Sequence, residues 1–134
     1  CCKYHNNIKI NEIYELKEKY PNSKILVHPE CQKQIRDIAD YIGSTAGIIN
    51  YATNNDYKDY IIATEEGILY ELKKKNPDKN FYIPGGSISC VDMKKTTLNN
   101  LYDTLLNMKN EVILDESVSK NALKCLENMH SLAK

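Results

Sequence analysis

The sequence predicts an α/β protein, a three-layer αβα arrangement with a mainly parallel sheet, followed by carboxyl-terminal helices. Three observations carry this. Short apolar runs at 25–27 (ILV), 59–63 (DYIIA) and 81–83 (FYI) alternate with segments whose apolar residues recur every three or four positions. Twice, at His28 and at Thr64, such a run gives way to polar residues and then to a helical segment. Parallel strands need crossover connections, and helices are the usual crossovers, so this alternation implies a sheet covered on both faces.

Composition sets the outer limits. The chain has 134 residues, enough for one compact domain, and 18 basic residues balance 18 acidic ones. A formal charge of zero gives no field to recruit nucleic acid or an anionic membrane. No apolar run approaches the ~20 residues needed to span a bilayer. No signal peptide precedes the first residue, so a soluble, cytoplasmic protein is expected. Five cysteines, at positions 1, 2, 31, 90 and 125, are odd in number and contain no CxxC pair. They read as free thiols or as ligands of a metal site assembled from distant positions.

Taken in order, residues 1–7 carry Cys1, Cys2 and His5. Cys2 and His5 are three apart and can reach one ion, but so short a pattern does not by itself define a site. A helix is expected over 11–20, with Asn11 as its N-cap and Pro21-Asn22 ending it. The strand at 25–27 stops at His28, because Pro29 has no N–H to donate to a ladder. From Cys31 the spacing of Ile35, Ile38, Ala39 and Ile42 predicts a helix up to the turn at Gly43. Ser44 and Thr45 then open the next helix as hydroxyl residues do at an N-cap. After a polar turn at Asn54, Asn55 and Asp56, the β-branched run 59–63 reads as a buried strand. A helix follows over 68–75. Lys73, Lys74, Lys75 and Lys79 read as a solvated basic cluster near its end.

The run 81–83 is the third strand, stopped by Pro84-Gly85-Gly86. Cys90 lies beyond that flexible entry, and in isolation it reads as an ordinary buried thiol. A helix over 97–108 carries Leu98, Leu101, Tyr102, Leu105 and Leu106 on one face. Residues 111–114 are expected to form a last short strand. A helix over 117–132 has Val118, Ala122, Leu123, Leu126 and Met129 as its buried stripe, with Cys125 beside it in the core and His130 on the surface. A domain is expected over 1–92 and a helical segment over 93–134.

The candidate site is the edge where His28, Pro29 and Glu30 leave the first strand and Ser44-Thr45 start a helix. An imidazole, a carboxylate and an anion-friendly helix N-terminus meet in one short stretch, the usual location of ligand sites in open α/β sheets. A non-catalytic ligand-binding module would keep these residues and need no thiols. An inactive remnant would need neither.

The motifs HPEC at 28–31, AD at 39–40, GST at 43–45, TEEG at 64–67 and C-x-x-M-K-x-x-T-L at 90–98 occur in this order. With them the chain resembles the carboxyl-terminal half of the quinolinate synthases, from Cys2 almost to Lys134. The resemblance implies three related αβα domains around a cavity, each giving one cysteine to a [4Fe-4S] cluster. Cys2 and Cys90 match two of those cysteines. His28, Pro29 and Glu30, with Ser44 and Thr45, match positions that hold the iminoaspartate-derived part of the substrate. Cys31 lies in the motif but is not a cluster ligand, and Cys125 is outside every motif.

Three thiolates on four irons leave one iron open to act as a Lewis acid. The implied reaction condenses iminoaspartate with dihydroxyacetone phosphate to quinolinate, in NAD biosynthesis. Glu30 is placed for acid–base work and His28 for carboxylate binding or proton transfer. The family's amino-terminal half has no counterpart here. With it go the first cluster cysteine, a substrate-binding histidine and serine, and a tyrosine–asparagine motif. The implied partner is therefore that half.

Overall fold

A computed structural model describes residues 2–133 of the chain. They divide into two compact units, the first ending at Met93 and the second starting at Lys94. The first contains a four-stranded, all-parallel sheet: β1 (Lys24–Val27), β2 (Tyr41–Ile42), β3 (Asp59–Ala63) and β4 (Asn80–Tyr82), in the order β2-β1-β3-β4. Its helices are α1 (Lys3–Asn6), α2 (Ile10–Lys19), α3 (Lys33–Arg36), α4 (Thr45–Asn54) and α5 (Ile68–Lys75). The second unit holds α6 (Leu98–Asn107) and α7 (Glu116–Leu132).

Alternate residues of each strand point to opposite faces of the sheet, and both faces are covered. Ile25 and Val27 of β1 and Ile61 and Ala63 of β3 pack with Ile8, Ile13, Cys31 and Ile35 on one side. Leu26, Tyr60 and Ile62 pack with Ile48 and Ala52 of α4 and Ile68 and Leu72 of α5 on the other. These are the three expected layers. Each fully buried Ile or Leu side chain contributes about 1.5–3 kcal/mol, so the two central strands anchor whatever is built on their ends.

The helix expected from Cys31 to Ile42 does not form. Only Lys33–Arg36 is helical, and Tyr41–Ile42 pairs with β1 instead. The reason is Asp40. Its carboxylate accepts from the Ile25 N–H at 2.8 Å and from Lys24 Nζ at 2.7 Å, while its own N–H donates to the Ile25 carbonyl at 2.9 Å. These bonds lay the chain along β1, and a long-range pairing overrides helical spacing. The tyrosine of β2 then folds over the start of α4. Its ring stacks on Tyr51, centroids 4.6 Å apart, and occupies space that a side chain at Gly43 or Gly47 would need.

Smaller departures have equally local causes. Helix α2 starts at Ile10 after Lys9, so Asn11 is not its cap. Strand β4 is shifted one residue earlier than the apolar run suggests. Lys79 does not belong to a solvated face: its Nζ donates to the carbonyls of Ala52 and Asn55, each at 2.6 Å, closing the end of α4.

In the second unit the expected strand at 111–114 is absent. Met108 and Asn110 take left-handed φ values of 49° and 62°, and Val112, Ile113 and Leu114 are exposed. A strand needs a partner, and none of the described residues offers one. The expected buried stripe of α7 is likewise exposed, as are Cys125 and the apolar face of α6. Both helices are amphipathic and correctly capped, by Thr97 and by Asp115, yet neither buries a residue. No helix among the described residues is long and apolar enough to cross a membrane.

Candidate functional site

The chain order β2-β1-β3 reverses direction at β1, so the crevice at the carboxyl ends of β1 and β3 is the switch point of the sheet. Val27 and Ala63, the last residues of those strands, are partners in the ladder. The residues that follow them, His28 and Thr64, therefore emerge side by side. The His28 N–H extends the ladder by donating to the Ala63 carbonyl at 3.1 Å.

His5, from α1, is inserted over this edge. One ring nitrogen, Nε2, lies 2.9 Å from Thr64 Oγ1 and the other, Nδ1, 3.1 Å from Glu30 Oε2. Its ring stacks on that of His28 with centroids 4.3 Å apart and planes 5° from parallel. The Glu30 N–H donates to His28 Nδ1 at 3.3 Å, which makes that nitrogen an acceptor and puts the His28 proton on Nε2. Burial, and secondarily the neighbouring His5, holds His28 below its ordinary pKa against the opposing pull of Glu30, so the neutral ring is favoured. The chemistry gathered here is a neutral imidazole donor, a half-exposed carboxylate and a buried hydroxyl–imidazole pair.

The thiols sort by environment. Cys2, just before α1, is half-buried, and its Sγ lies with a ring nitrogen of His5 and a carboxylate oxygen of Glu30 in a group whose ligand atoms are all within 4.8 Å of one another. That donor set can hold a metal ion. Cys90 is also half-buried, and its loop is tied to the same helix: the Val91 N–H donates to Tyr4 Oη at 3.0 Å, and Lys3 Nζ is 3.9 Å from Asp92. The buried Glu65 of the TEEG segment accepts from the Cys90 N–H at 3.4 Å and from the Gly67 N–H at 2.6 Å. Cys31 is different. It is buried, donates to the Ala63 carbonyl at 3.4 Å, and burial pushes its thiol up to about 11. Two thiols are thus available at one end of the unit and a third is sealed in the core. Cys1 lies outside the described residues.

Ser44 caps α4 as expected, its Oγ accepting from the Gly47 N–H at 3.2 Å. The Gly43 N–H donates to the Val27 carbonyl at 3.0 Å, so this N-terminus begins beside the end of β1. Thr45 is exposed, and among the described residues no hydrogen bond joins it to His28 or Glu30. Pro29 is exposed in the turn between the last two. Sequence reasoning missed Thr64 as a site residue and left His5 undecided. The C-x-x-H spacing was the only local signal for His5, and its partners stand 25 and 59 positions away.

A parallel sheet with a histidine–carboxylate–thiol group at its switch point defines an α/β protein whose strand ends carry a group that could hold a metal ion. The chain belongs to the quinolinate synthetase A protein family, NadA, whose model matches residues 1–131. It is similar to the quinolinate synthase of Clostridioides difficile (strain 630), 68% identical over 132 residues. It is also similar to those of Clostridium novyi (strain NT), at 50%, and Clostridium kluyveri (strain NBRC 12016), at 43%. In each case the alignment covers 98% of this chain and 43% of the relative.

Proposed function

We propose that this chain supplies the His28–Glu30 half of a quinolinate synthase site and acts with the part of the family's length that it does not span. The observation that supports this most is the convergence of His5, His28, Glu30 and Thr64 on one strand-end crevice in a member of that family. In this reading the substrates are iminoaspartate and dihydroxyacetone phosphate, the product is quinolinate, and the compartment is the reducing cytoplasm.

Glu30, half-exposed, accepts and returns protons during imine formation and dehydration. His28 presents Nε2–H to a substrate carboxylate. Ser44 and Thr45, at the start of α4, offer backbone N–H groups to an anionic group, as helix N-termini do. Cys2 and Cys90 fit two of three thiolates for a [4Fe-4S] cluster, being the half-exposed thiols of the first unit among the described residues. When bound, such a cluster supplies a Lewis acid at its open iron. The third thiolate comes from the remaining part of the family's length.

The test is a comparison of Glu30→Gln, Cys2→Ser and Cys90→Ser in the enzyme completed with that remaining part, handled anaerobically. Glu30→Gln should keep its iron and lose about 10²–10⁴-fold in turnover, the range of acid–base contributions. The two serine variants should lose iron and turnover together. Quinolinate formation by Glu30→Gln near the unmodified rate, with iron intact, would make Glu30 a structural strand-end residue.

A further inference from the structure

The thiol of Cys90 stands on a loop, yet a metal ligand is useful only where its position is fixed. Residues 83–92 form no strand or helix. The loop leaves β4 through Gly85 and Gly86, at left-handed φ values of 67° and 80° that glycine adopts without strain. Whatever orients Cys90 must therefore come from elsewhere in the first unit.

The segment after β3 supplies it. Glu65 is only 7% exposed, a rare position for a carboxylate unless its oxygens are satisfied. Oε2 accepts from the Gly67 N–H at 2.6 Å and Oε1 from the Cys90 N–H at 3.4 Å. Gly67 leads into α5, whose Ile68 and Leu72 are buried in the core, so one end of this bridge is rigid. Glu66 adds a parallel tie, its N–H donating to the Ile88 carbonyl at 2.9 Å and its carboxylate accepting from the Ser87 hydroxyl. On the far side of Cys90, the next N–H, that of Val91, is held by Tyr4 Oη. The two peptide planes that flank the Cys90 Cα are thus each fixed by a side chain from a different element. Together they set the direction in which the thiol leaves the backbone.

We propose that Glu65 is a positioning residue for Cys90, bridging the start of α5 to the loop so that the thiol is in place before any metal arrives. The inference rests on the reading of Cys90 as a cluster thiolate given above. Capping α5 needs only one carboxylate oxygen. The second oxygen, reaching 25 positions along the chain, is what the capping role leaves unexplained.

Glu65→Gln separates the two bonds. An amide has one oxygen that accepts and a nitrogen that only donates, so it serves one N–H and opposes the other. The shorter Gly67 bond keeps the oxygen, and the Cys90 N–H loses its acceptor. In the 134-residue chain, exchange of the Cys90 amide proton followed by NMR should accelerate about tenfold, as for loss of one hydrogen bond, while Gly67 and the amides of β1 and β3 keep their rates. Glu65→Asp keeps a carboxylate but is one methylene too short to span both partners, and it should release Cys90 in the same way. Should the glutamine variant fail to fold, the aspartate variant decides. A Cys90 amide unaffected by either substitution, or acceleration spread evenly over the first unit, would overturn the proposal.

In the enzyme completed with the remaining part of the family's length, both variants should release iron to a chelator about 10–100-fold faster, the usual cost of removing a group that supports a metal ligand. Unchanged iron release beside a freed Cys90 amide would overturn it as well. Should Cys90→Ser hold its iron, the reading of Cys90 as a cluster thiolate fails, and the amide exchange still decides whether Glu65 positions Cys90.

Discussion

Alkylation with iodoacetamide should separate Cys31 from Cys90, and the structure sets by how much. At about pH 8 a thiol pushed up to about 11 is ionised in roughly one molecule per thousand, against about a quarter for a thiol at the ordinary ~8.5. The less acidic thiol is the better nucleophile, which with a Brønsted slope of about 0.4–0.5 returns roughly tenfold. Ionisation alone thus leaves Cys31 about 20-fold slower than free cysteine. Burial adds to this, because a side chain that is 3% exposed and packed between β1, β3 and Ile35 must wait for local opening. Quenched time points digested and read by mass spectrometry give both rates. In the folded chain Cys31 should react well over about 20-fold more slowly than free cysteine and far more slowly than the half-buried Cys90, and in concentrated urea the rates of the two residues should converge. Equal rates in the folded chain, with its far-ultraviolet circular dichroism unchanged, would refute the assignment of Cys31 as a core thiol.

Thr64→Val keeps the shape of a buried side chain and deletes the partner of His5 Nε2, so it should destabilise the first unit by about 1–3 kcal/mol, read as a lower urea midpoint by tyrosine fluorescence. The Asp40 pair makes stability depend on pH. Burial opposes ionisation of Asp40, but the bonds from Lys24 and the Ile25 N–H and the charge of Lys24 outweigh it and hold the carboxyl below its ordinary value. A lowered folded pKa means that the unfolded chain binds the proton first as pH falls. The contribution is therefore present above the ordinary carboxylate range and lost as pH drops through the folded value. Asp40→Asn should flatten the acid side of the urea-midpoint profile, and an unaltered slope would contradict this. Amide exchange should be far faster in α6 and α7 than in β1 and β3, since helices of this length without a buried face are marginal in water; equal protection would show a packed face.

The layers were legible in the sequence because the strands that organise them are apolar, short and bounded. Residues 59–63 and 68–75 fall where β3 and α5 lie, since each is set by its own local pattern. Tyr41 and Ile42 were misread because their state depends on Asp40 reaching back fifteen positions to Ile25. The candidate site divides in the same way. His28 and Glu30 announce themselves through Pro29 and the end of an apolar run. His5 and Thr64 meet only when α1 closes over two strand ends, and no local spacing encodes that. The amphipathic stripes of α6 and α7 were read correctly as patterns, but an apolar stripe states a need for cover without naming what supplies it.

The ring of Tyr41 imposes an order on how the start of α4 can change. A methyl at Gly47 would sit 2.6 Å from the Tyr41 hydroxyl oxygen but 3.6 Å from the carbon that bears it. Within a helix, Gly→Ala is otherwise favourable by about 1 kcal/mol, yet here it collides with one oxygen atom. Removing that oxygen first, as Tyr41→Phe, turns the collision into an ordinary contact and releases the helical gain. The same step does nothing for Gly43, where two ring carbons stand 2.6 and 2.8 Å away. Two glycines four positions apart thus answer to one tyrosine in different ways: the first is blocked by its ring, and the second only by its hydroxyl. A substitution at 47 that is harmful in this background becomes stabilising in a background that differs at a single atom.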